Sequence, residues 1–257
     1  MSAFDYSKKD IASAFRETGI REGASVFTHS NVGFFGKLEG AKIPQDYYDA
    51  FKKEMLGVIG EQGTWVMPTF TYSFCWGHEF DIDNTPSTCG LLSEMMRKDS
   101  DAARSGDANF SVAAIGKHAE YFTENAPAYS FGPNSFWERF LEKKGVFCNF
   151  NFDSASTFIH YAERFLKVPY RYDKPFEGVW KKGDKEEKKV FYHFVYDLQK
   201  PYHAPDFKKF DARAKEWGFV REVRLGKGQM LCISAEHALQ TIQRGLQEDP
   251  SFLTKGS

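Results

Sequence analysis

Short apolar segments alternate along the chain with segments whose apolar residues recur at helical spacing. Residues 24–27, 64–67 and 110–115 are short and apolar, as buried strands are, while residues 44–58 carry apolar side chains three and four positions apart. This alternation predicts a layered α/β architecture. With 257 residues, of which 42% are hydrophobic, the chain can bury a large core, and we expect one domain spanning residues 1–257.

The most informative stretch follows an apolar segment at residues 145–152. Residues 153–163 read as a helix that Asp153 or Ser154 can cap, so this helix starts at the carboxyl end of a strand, where ligands bind in open α/β sheets. His160 and Glu163 share its polar face with Ser156 and Lys167. From spacing alone, a solvated helix face is the commoner explanation of this pattern.

Residues 156–163, which read STFIHYAE, resemble the Thr-x-x-His-x-Ala-Glu signature of the aminoglycoside 3-N-acetyltransferase family. Further motifs match in order, over roughly residues 10 to 245, a whole-chain match for one domain. They lie at residues 28–30, 63–70, 80–86, 104–105 and 131–135. The resemblance implies a single-domain α/β/α sandwich around a central mixed sheet. It also implies transfer of an acyl group from acyl-coenzyme A to an amine of an amino sugar.

The resemblance and the chemistry together suggest roles for the signature residues. An attacking amine must lose a proton, and a histidine with an unperturbed pKa of about 6.5 suits that task, which makes His160 the expected general base. A carboxylate should orient this imidazole; Glu163 is nearest in sequence and Asp153 is its rival. Thr157, or backbone amides at the helix N-terminus, would stabilise the thioester oxygen.

We expect the coenzyme to lie against the segment from residue 28 to residue 36, because its glycines permit close approach of the backbone. A plain turn is the alternative, and the family resemblance favours the coenzyme. The predicted coenzyme-binding residues are Thr28, His29, Ser30, Asn31, Gly33, Gly36, Arg104 and Ser105. Acetyl-coenzyme A or a longer acyl-coenzyme A is the expected cosubstrate, without a metal.

Two departures from the family pattern bear on the acceptor. Residues 104–108 read RSGDA where the family has Arg-Ser-x-His-Pro, and residues 148–152 read CNFNF where it has a glycine-rich strand end. Beyond the signature, Lys and Arg alternate with aromatic residues, which suits an anionic acceptor. The predicted acceptor is therefore a nucleotide-linked amino sugar for cell-surface polysaccharide. An aminoglycoside, or a non-catalytic coenzyme- or carbohydrate-binding role, remains the alternative.

The residues predicted to bind the acceptor are Tyr72, Trp76, Asp81, Arg171, Lys174 and Lys208. His193 lies in a strand that is apolar on both faces, and we interpret it as structural. His78 with its acidic neighbours fits neither a calcium loop nor a zinc triad. The four cysteines are scattered without zinc-site spacing, and Cys148 is expected to be a small hydrophobe in a strand.

The overall charge is nearly balanced, with 34 Lys and Arg against 35 Asp and Glu, for a formal net charge of -1. Such a balance offers no argument for nucleic-acid or membrane binding. The first residues lack a charged segment followed by an apolar one, and no run approaches the roughly 20 apolar residues of a membrane span. We therefore expect a cytoplasmic protein.

Overall fold

The computed structural model describes residues 4–256 and has eight α-helices and ten strands in that range. The helices are α1 Lys8–Glu17, α2 Pro44–Ile59, α3 Leu91–Lys98, α4 Ala119–Thr123, α5 Phe136–Glu142, α6 Phe158–Phe165, α7 Lys208–Glu216 and α8 Ala235–Glu248. The strands are β1 Ser25–Phe27, β2 Thr64–Pro68, β3 Phe80–Asp81, β4 Ala103–Arg104, β5 Val112–Gly116, β6 Val146–Phe150, β7 Arg171–Lys182, β8 Lys185–Tyr196, β9 Arg221–Leu225 and β10 Gly228–Ser234.

A seven-stranded mixed sheet forms the centre of the molecule, in the order β4-β5-β2-β1-β6-β10-β9. The three middle strands, β2, β1 and β6, run parallel, and both flanks are antiparallel. The carboxyl ends of β1 and β6 therefore lie side by side. The predicted central mixed sheet is confirmed.

Side chains of this sheet alternate between two apolar layers. Val26 packs into the layer that holds α1, α2 and α3, whereas its neighbour Phe27 packs into the layer that holds α5 to α8. Trp65 and Val66 of β2 divide in the same way, because successive strand residues point to opposite faces. Helices thus cover both faces, and the predicted α/β/α sandwich is confirmed.

A long hairpin of β7 and β8 forms a second sheet with β3. The sequence indicated only the distal part of β8, around His193. The turn itself comprises residues 183 and 184, between twelve-residue strands. The mixed, half-exposed burial of β7 explains why no apolar pattern marked it.

The helix that carries the signature begins later than predicted, at Phe158 rather than at residue 153 or 154. Residues 151–157 form turns, and Thr157 at the N-cap has a φ of 72°, which ends any helical path that Asp153 or Ser154 would start. Glu163 is fully buried rather than solvated, and Phe165, the last residue of the helix, is 56% exposed.

Local sequence features explain where three of the helices begin. Ser7 forms a capping box at the start of α1, Pro44 is the first residue of α2, and the Ser234 side chain caps α8 by accepting a hydrogen bond from the His237 backbone N–H. The hairpin of β9 and β10 turns about residues 226–228. Within residues 4–256, no helix combines the length and the apolar content needed to cross a membrane.

Candidate active site

The site lies where the carboxyl ends of β1 and β6 meet. The His29 backbone N–H donates to Asn149 Oδ1 of β6 at 2.9 Å, and Asn149 Nδ2 donates to the Asp153 carbonyl at 2.7 Å. Asn149 thereby ties the end of β1 to the turns that lead into α6. Both hydrogen bonds are made by the side-chain amide of Asn149, which is fully buried, so they hold the end of β1 against these turns.

His160 and Glu163 form the central pair of the site. His160 Nδ1 lies 2.7 Å from Glu163 Oε2, one helical turn away along α6. The Glu163 side chain is fully buried and that of His160 is 17% exposed. The Tyr170 hydroxyl donates to the other carboxylate oxygen, Oε1, at 2.9 Å, and Arg171 Nε lies 2.8 Å from Oε2. Glu163 is thus held by three neighbours.

These contacts set the protonation states of the pair. Burial raises the pKa of Glu163, but the hydrogen bond and charge of His160 and the charge of Arg171 outweigh it, so the pKa lies below its ordinary value. Burial and the Arg171 charge lower the pKa of His160, and Glu163 offsets only part of that. The imidazole is therefore neutral near pH 7, with Nδ1 held by the carboxylate and Nε2 able to accept a proton.

A cavity of about 550 Å³ opens beside this pair. The signature side chains His160 and Thr157 contribute to its wall. The hairpin supplies most of the rest: Arg171, Tyr172, Lys174, Phe176, His193, Val195 and Tyr196. A wall that combines aromatic rings with several polar and charged groups is typical of a small-molecule site.

Thr157 has an unusual backbone for a β-branched residue, with φ of 72°. Its Oγ1 lies 3.0 Å from His29 Nε2, and its carbonyl accepts a hydrogen bond from the His160 backbone N–H at 3.0 Å. Strained conformations of this kind persist where surrounding structure holds them and cluster at functional sites. Burial lowers the pKa of His29 to about 3, so its ring contacts the Thr157 hydroxyl as a neutral imidazole.

The remaining residues of the predicted coenzyme segment fall into two groups. Ser30 Oγ is buried and has no hydrogen-bond partner within residues 4–256, and a side chain at Gly33 would meet open space. By contrast, Thr28 Oγ1 accepts from Trp65 Nε1 at 3.1 Å. The side-chain amides of Asn31 and Asn151 each donate to the backbone carbonyl of the other residue. Gly36, with φ of 89°, packs against the Asp5 side chain.

Arg104 and Ser105 do not reach this cavity. The Arg104 guanidinium donates to the carbonyls of Ile82, Thr85 and Thr69, so its donors hold the loop after β2. Ser105 Oγ accepts from the Val112 backbone N–H. Arg104 lines a separate groove of about 1070 Å³ whose walls contain none of the signature residues. Of these two cavities, the smaller one is lined by His160, so it is the candidate site.

The predicted acceptor-binding residues also divide. Tyr72, Arg171 and Lys174 line the cavity. Trp76 is 72% exposed on a 3₁₀ turn outside it, and Asp81 accepts hydrogen bonds from the Asp83 and Asn84 backbone. Lys208 is an exposed residue at the start of α7.

Of the two carboxylates proposed to orient His160, the structure brings only Glu163 to it. Asp153 Oδ2 instead accepts a hydrogen bond from Ser156 Oγ, and burial raises its pKa. His193, which we interpreted as structural, lines the cavity. The alternation of Phe191, His193 and Val195 was the signal that these three share one face.

Cys148 faces the layer of α1 to α3 and does not line the cavity. Burial, with Cys232 beside it, raises the pKa of its thiol well above the ordinary value, so the side chain behaves as the predicted small hydrophobe. Within the described range 4–256, no group of three or more His, Cys, Asp or Glu side chains is arranged to hold a metal ion.

Comparisons with known proteins indicate the same family as the order of the sequence motifs. The family model described as aminoglycoside 3-N-acetyltransferase matches residues 27–247. The SPbeta prophage-derived aminoglycoside N(3')-acetyltransferase-like protein YokD of Bacillus subtilis (strain 168) is 24% identical over 195 residues, which cover 66% of this chain and 68% of that protein.

Solved structures share the fold at low sequence identity. Aminoglycoside acetyltransferase AAC(3)-Xa has a TM-score of 0.80 at 20% identity, covering 94% of this chain and 92% of that one. AAC-IIIb in its binary complex with CoASH has a TM-score of 0.79 at 18% identity, covering 98% of each chain. AAC-VIa with bound sisomicin has a TM-score of 0.79 at 20% identity, covering 95% and 98%.

The predicted nucleotide-linked acceptor, with its role in cell-surface polysaccharide, is wrong, because these matches are to aminoglycoside acetyltransferases. The prediction depended on cations, four of which the fold pairs with carboxylates. Each cation in the following pairs lies within 3.0 Å of its partner: Arg171 with Glu163, Arg164 with Asp173, Lys181 with Glu79, and Lys209 with Asp249. The sequence shows the basic residues but not their distant carboxylate partners.

Proposed function

Since the chain belongs to the aminoglycoside 3-N-acetyltransferase family, we propose that it transfers an acetyl group from acetyl-coenzyme A to the 3-amino group of an aminoglycoside. The contact of 2.7 Å between His160 Nδ1 and Glu163 Oε2, beside a cavity of about 550 Å³, is the observation that carries the proposal. The proposal treats residues 1–257 as one acyltransferase domain.

His160 acts as the general base. Glu163 accepts the hydrogen bond from Nδ1–H and so keeps Nε2 unprotonated and directed away from the carboxylate. As the amine nitrogen forms its bond to the thioester carbonyl carbon, Nε2 takes the proton that the amine loses. The bond between carbon and sulfur then breaks, and the departing thiolate receives that proton, so the products are an acetamide and the free coenzyme thiol.

Negative charge develops on the thioester oxygen during this attack, and Thr157 supports its stabilisation. Because His29 is neutral and contacts Thr157 Oγ1 at 3.0 Å, it fixes the direction of that hydroxyl at the amino end of α6. Donors that are held in place before the reaction stabilise such charge without reorganising.

The coenzyme approaches from the edge formed by β1. The unpartnered Oγ of Ser30 supplies a buried polar group there, and the open space at Gly33 admits a chain close to the backbone. These two features adjoin His29, which contacts Thr157, so a thioester bound along this edge reaches the signature residues.

The acceptor enters from the hairpin side of the cavity. The aromatic rings of Tyr72, Tyr172 and Phe176 offer faces to sugar rings and to ammonium groups, and Asp197 adds a carboxylate. Arg171 does not repel a cationic acceptor strongly, because its charge is paired with Glu163.

The test is release of coenzyme thiol from acetyl-coenzyme A with a panel of aminoglycosides, including sisomicin, followed by mass spectrometry to locate the acetyl group. The proposal expects thiol release that depends on the aminoglycoside and on His160, with one acetyl group on the 3-amino nitrogen. Coenzyme binding without thiol release for any aminoglycoside would contradict it and favour a non-catalytic binding role.

A further inference from the structure

His193 lies in the cavity next to the base but takes no part in the mechanism above. It belongs to β8 and pairs with Lys174 of β7, and both side chains line the cavity. The ring of Phe131 contacts both histidines, with centroid distances of 5.7 Å to His160 and 6.1 Å to His193. Two imidazoles, those of His160 in α6 and His193 in β8, therefore line the same cavity.

The two imidazoles differ in what they can do. Burial, together with the charges of His160 and Arg171, lowers the pKa of His193 to about 3, so it stays neutral throughout the working range of pH. It has no carboxylate partner in the described range 4–256, whereas His160 has Glu163. An imidazole that does not take up a second proton above pH 3 to 4 is a poor base, but its one ring N–H makes it a good neutral hydrogen-bonding group.

Cys75 contacts one ring nitrogen of His193. Its Sγ lies 3.8 Å from His193 Nδ1, and burial raises the pKa of this thiol to about 11, so the sulfur keeps its hydrogen. In the tautomer of His193 with hydrogen on Nε2, the unprotonated Nδ1 accepts the thiol hydrogen. Nε2 has no hydrogen-bond partner within residues 4–256.

We propose that His193 is a positioning residue whose Nε2–H donates a hydrogen bond to an oxygen of the acceptor, close to the amine that His160 deprotonates. The inference rests on the proposed function and adds the chemical class of acceptor: an amine that carries a hydroxyl or ether oxygen on a neighbouring carbon. An ammonium group cannot accept this bond, so His193 selects for the oxygen and leaves the amine to His160.

A site built to donate to a substrate oxygen discriminates against the analogue that lacks it. Steady-state kinetics with two acceptors tests this directly: an aminoglycoside substrate, and its deoxy analogue without the oxygen next to the acylated amine. His193→Phe keeps an aromatic ring without a donor, and His193→Gln keeps an N–H donor. His78→Phe is the matched control, because His78 is exposed and does not line the cavity.

We expect His193→Phe to raise KM for the hydroxylated acceptor about 3- to 10-fold, the usual worth of one neutral hydrogen bond, and to leave KM for acetyl-coenzyme A unchanged. KM for the deoxy analogue should be the same in this variant as in the wild type. His193→Gln should bring KM for the hydroxylated acceptor part of the way back to the wild-type value. An equal loss for both acceptors, or an unchanged KM for the hydroxylated one, would overturn the proposal.

A second measurement does not depend on turnover. Long-range ¹⁵N–¹H correlation spectra of the wild-type protein identify the protonated ring nitrogen of each histidine, with His193→Gln providing the assignment. The proposal expects hydrogen on Nε2 of His193, and hydrogen on Nδ1 would overturn it. Wild-type protein that acetylates no aminoglycoside would instead contradict the proposed function, so the two failures are distinguishable.

Discussion

Arg171 Nε and His160 Nδ1 contact the same carboxylate oxygen, Oε2 of Glu163, at 2.8 Å and 2.7 Å. The guanidinium and the imidazole thus compete for one buried acceptor. Glu163 stabilises a protonated His160, whereas Arg171 disfavours it, and burial adds to the effect of Arg171. The balance leaves the base neutral at the pH where it must accept a proton.

The first prediction concerns this balance. The wild-type enzyme should lose kcat/KM for the acceptor as pH falls, with a midpoint below 6.5, because only neutral His160 accepts a proton. Arg171→Gln removes the charge that disfavours the imidazolium, so its midpoint should move to higher pH. Arg164→Gln is the control, since Arg164 pairs with Asp173 and does not line the cavity. A midpoint that stays or falls in Arg171→Gln would contradict the assigned coupling.

Replacing the base should remove most of the turnover. His160→Asn is expected to lower kcat by about 10²–10⁴-fold, the usual contribution of a positioned base. Coenzyme binding, measured by calorimetry, should change little, because Ser30 and Gly33 lie on the edge formed by β1. His78→Asn, at an exposed loop position, should retain wild-type kcat. Full activity of His160→Asn would exclude His160 as the base.

The third prediction separates the two carboxylates proposed to orient His160. Glu163→Gln should reduce kcat far more than Asp153→Asn, because Glu163 contacts His160 while Asp153 contacts Ser156. Glu163→Gln also leaves Arg171 without its partner, which can cost about 3–5 kcal/mol of stability, so both variants should be compared below their unfolding temperatures. Equal losses of kcat would show that Glu163 does not orient the base.

Glycine substitutions test the coenzyme edge. Gly33→Val adds a side chain in open space, so it should keep the fold while raising the coenzyme dissociation constant. Gly36→Val should also lower the melting temperature, because Gly36 has a φ of 89° and packs on Asp5. Titration calorimetry and thermal unfolding measure the two effects. Unchanged coenzyme affinity in a folded Gly33→Val protein would move the coenzyme site elsewhere.

Because His29 is buried as a neutral imidazole, we expect the protein to be less stable in acid. His29 has a folded pKa of about 3, below the unfolded value, so the unfolded state binds the additional proton between pH 6.5 and 3. The stabilisation is complete above pH 6.5 and decreases as pH falls, by about 2 kcal/mol at pH 5 for this residue. The free energy of unfolding, measured in urea at pH 7.5 and at pH 5.0, should decrease less between these two pH values for His29→Asn than for the wild type. An identical decrease would mean that His29 does not contribute.

The sequence alone determined the layered architecture and indicated the candidate base. Apolar residues alternate in the strands and recur at helical spacing in the helices, and these periods follow from local backbone geometry, so a layered α/β architecture was predictable. The α/β/α sandwich around a mixed sheet was implied by the family resemblance. His160 and Glu163 are three residues apart, and such a pair meets on any helix, so their contact was also accessible from spacing. The order of motifs identified the family.

Only the tertiary structure decided the environment of that base. His29 and Thr157 are 128 positions apart, and their contact exists because parallel β1 and β6 end side by side. The positive φ of Thr157 removed Asp153 from the helix, and the hairpin brought Arg171 to Glu163 and His193 to the cavity. The fold also paired Arg164, Arg171, Lys181 and Lys209 with carboxylates that lie far from some of them in the sequence. Burial and pairing depend on contacts between distant segments, which local patterns do not encode, and these contacts set the pKa values and the acceptor side of the site.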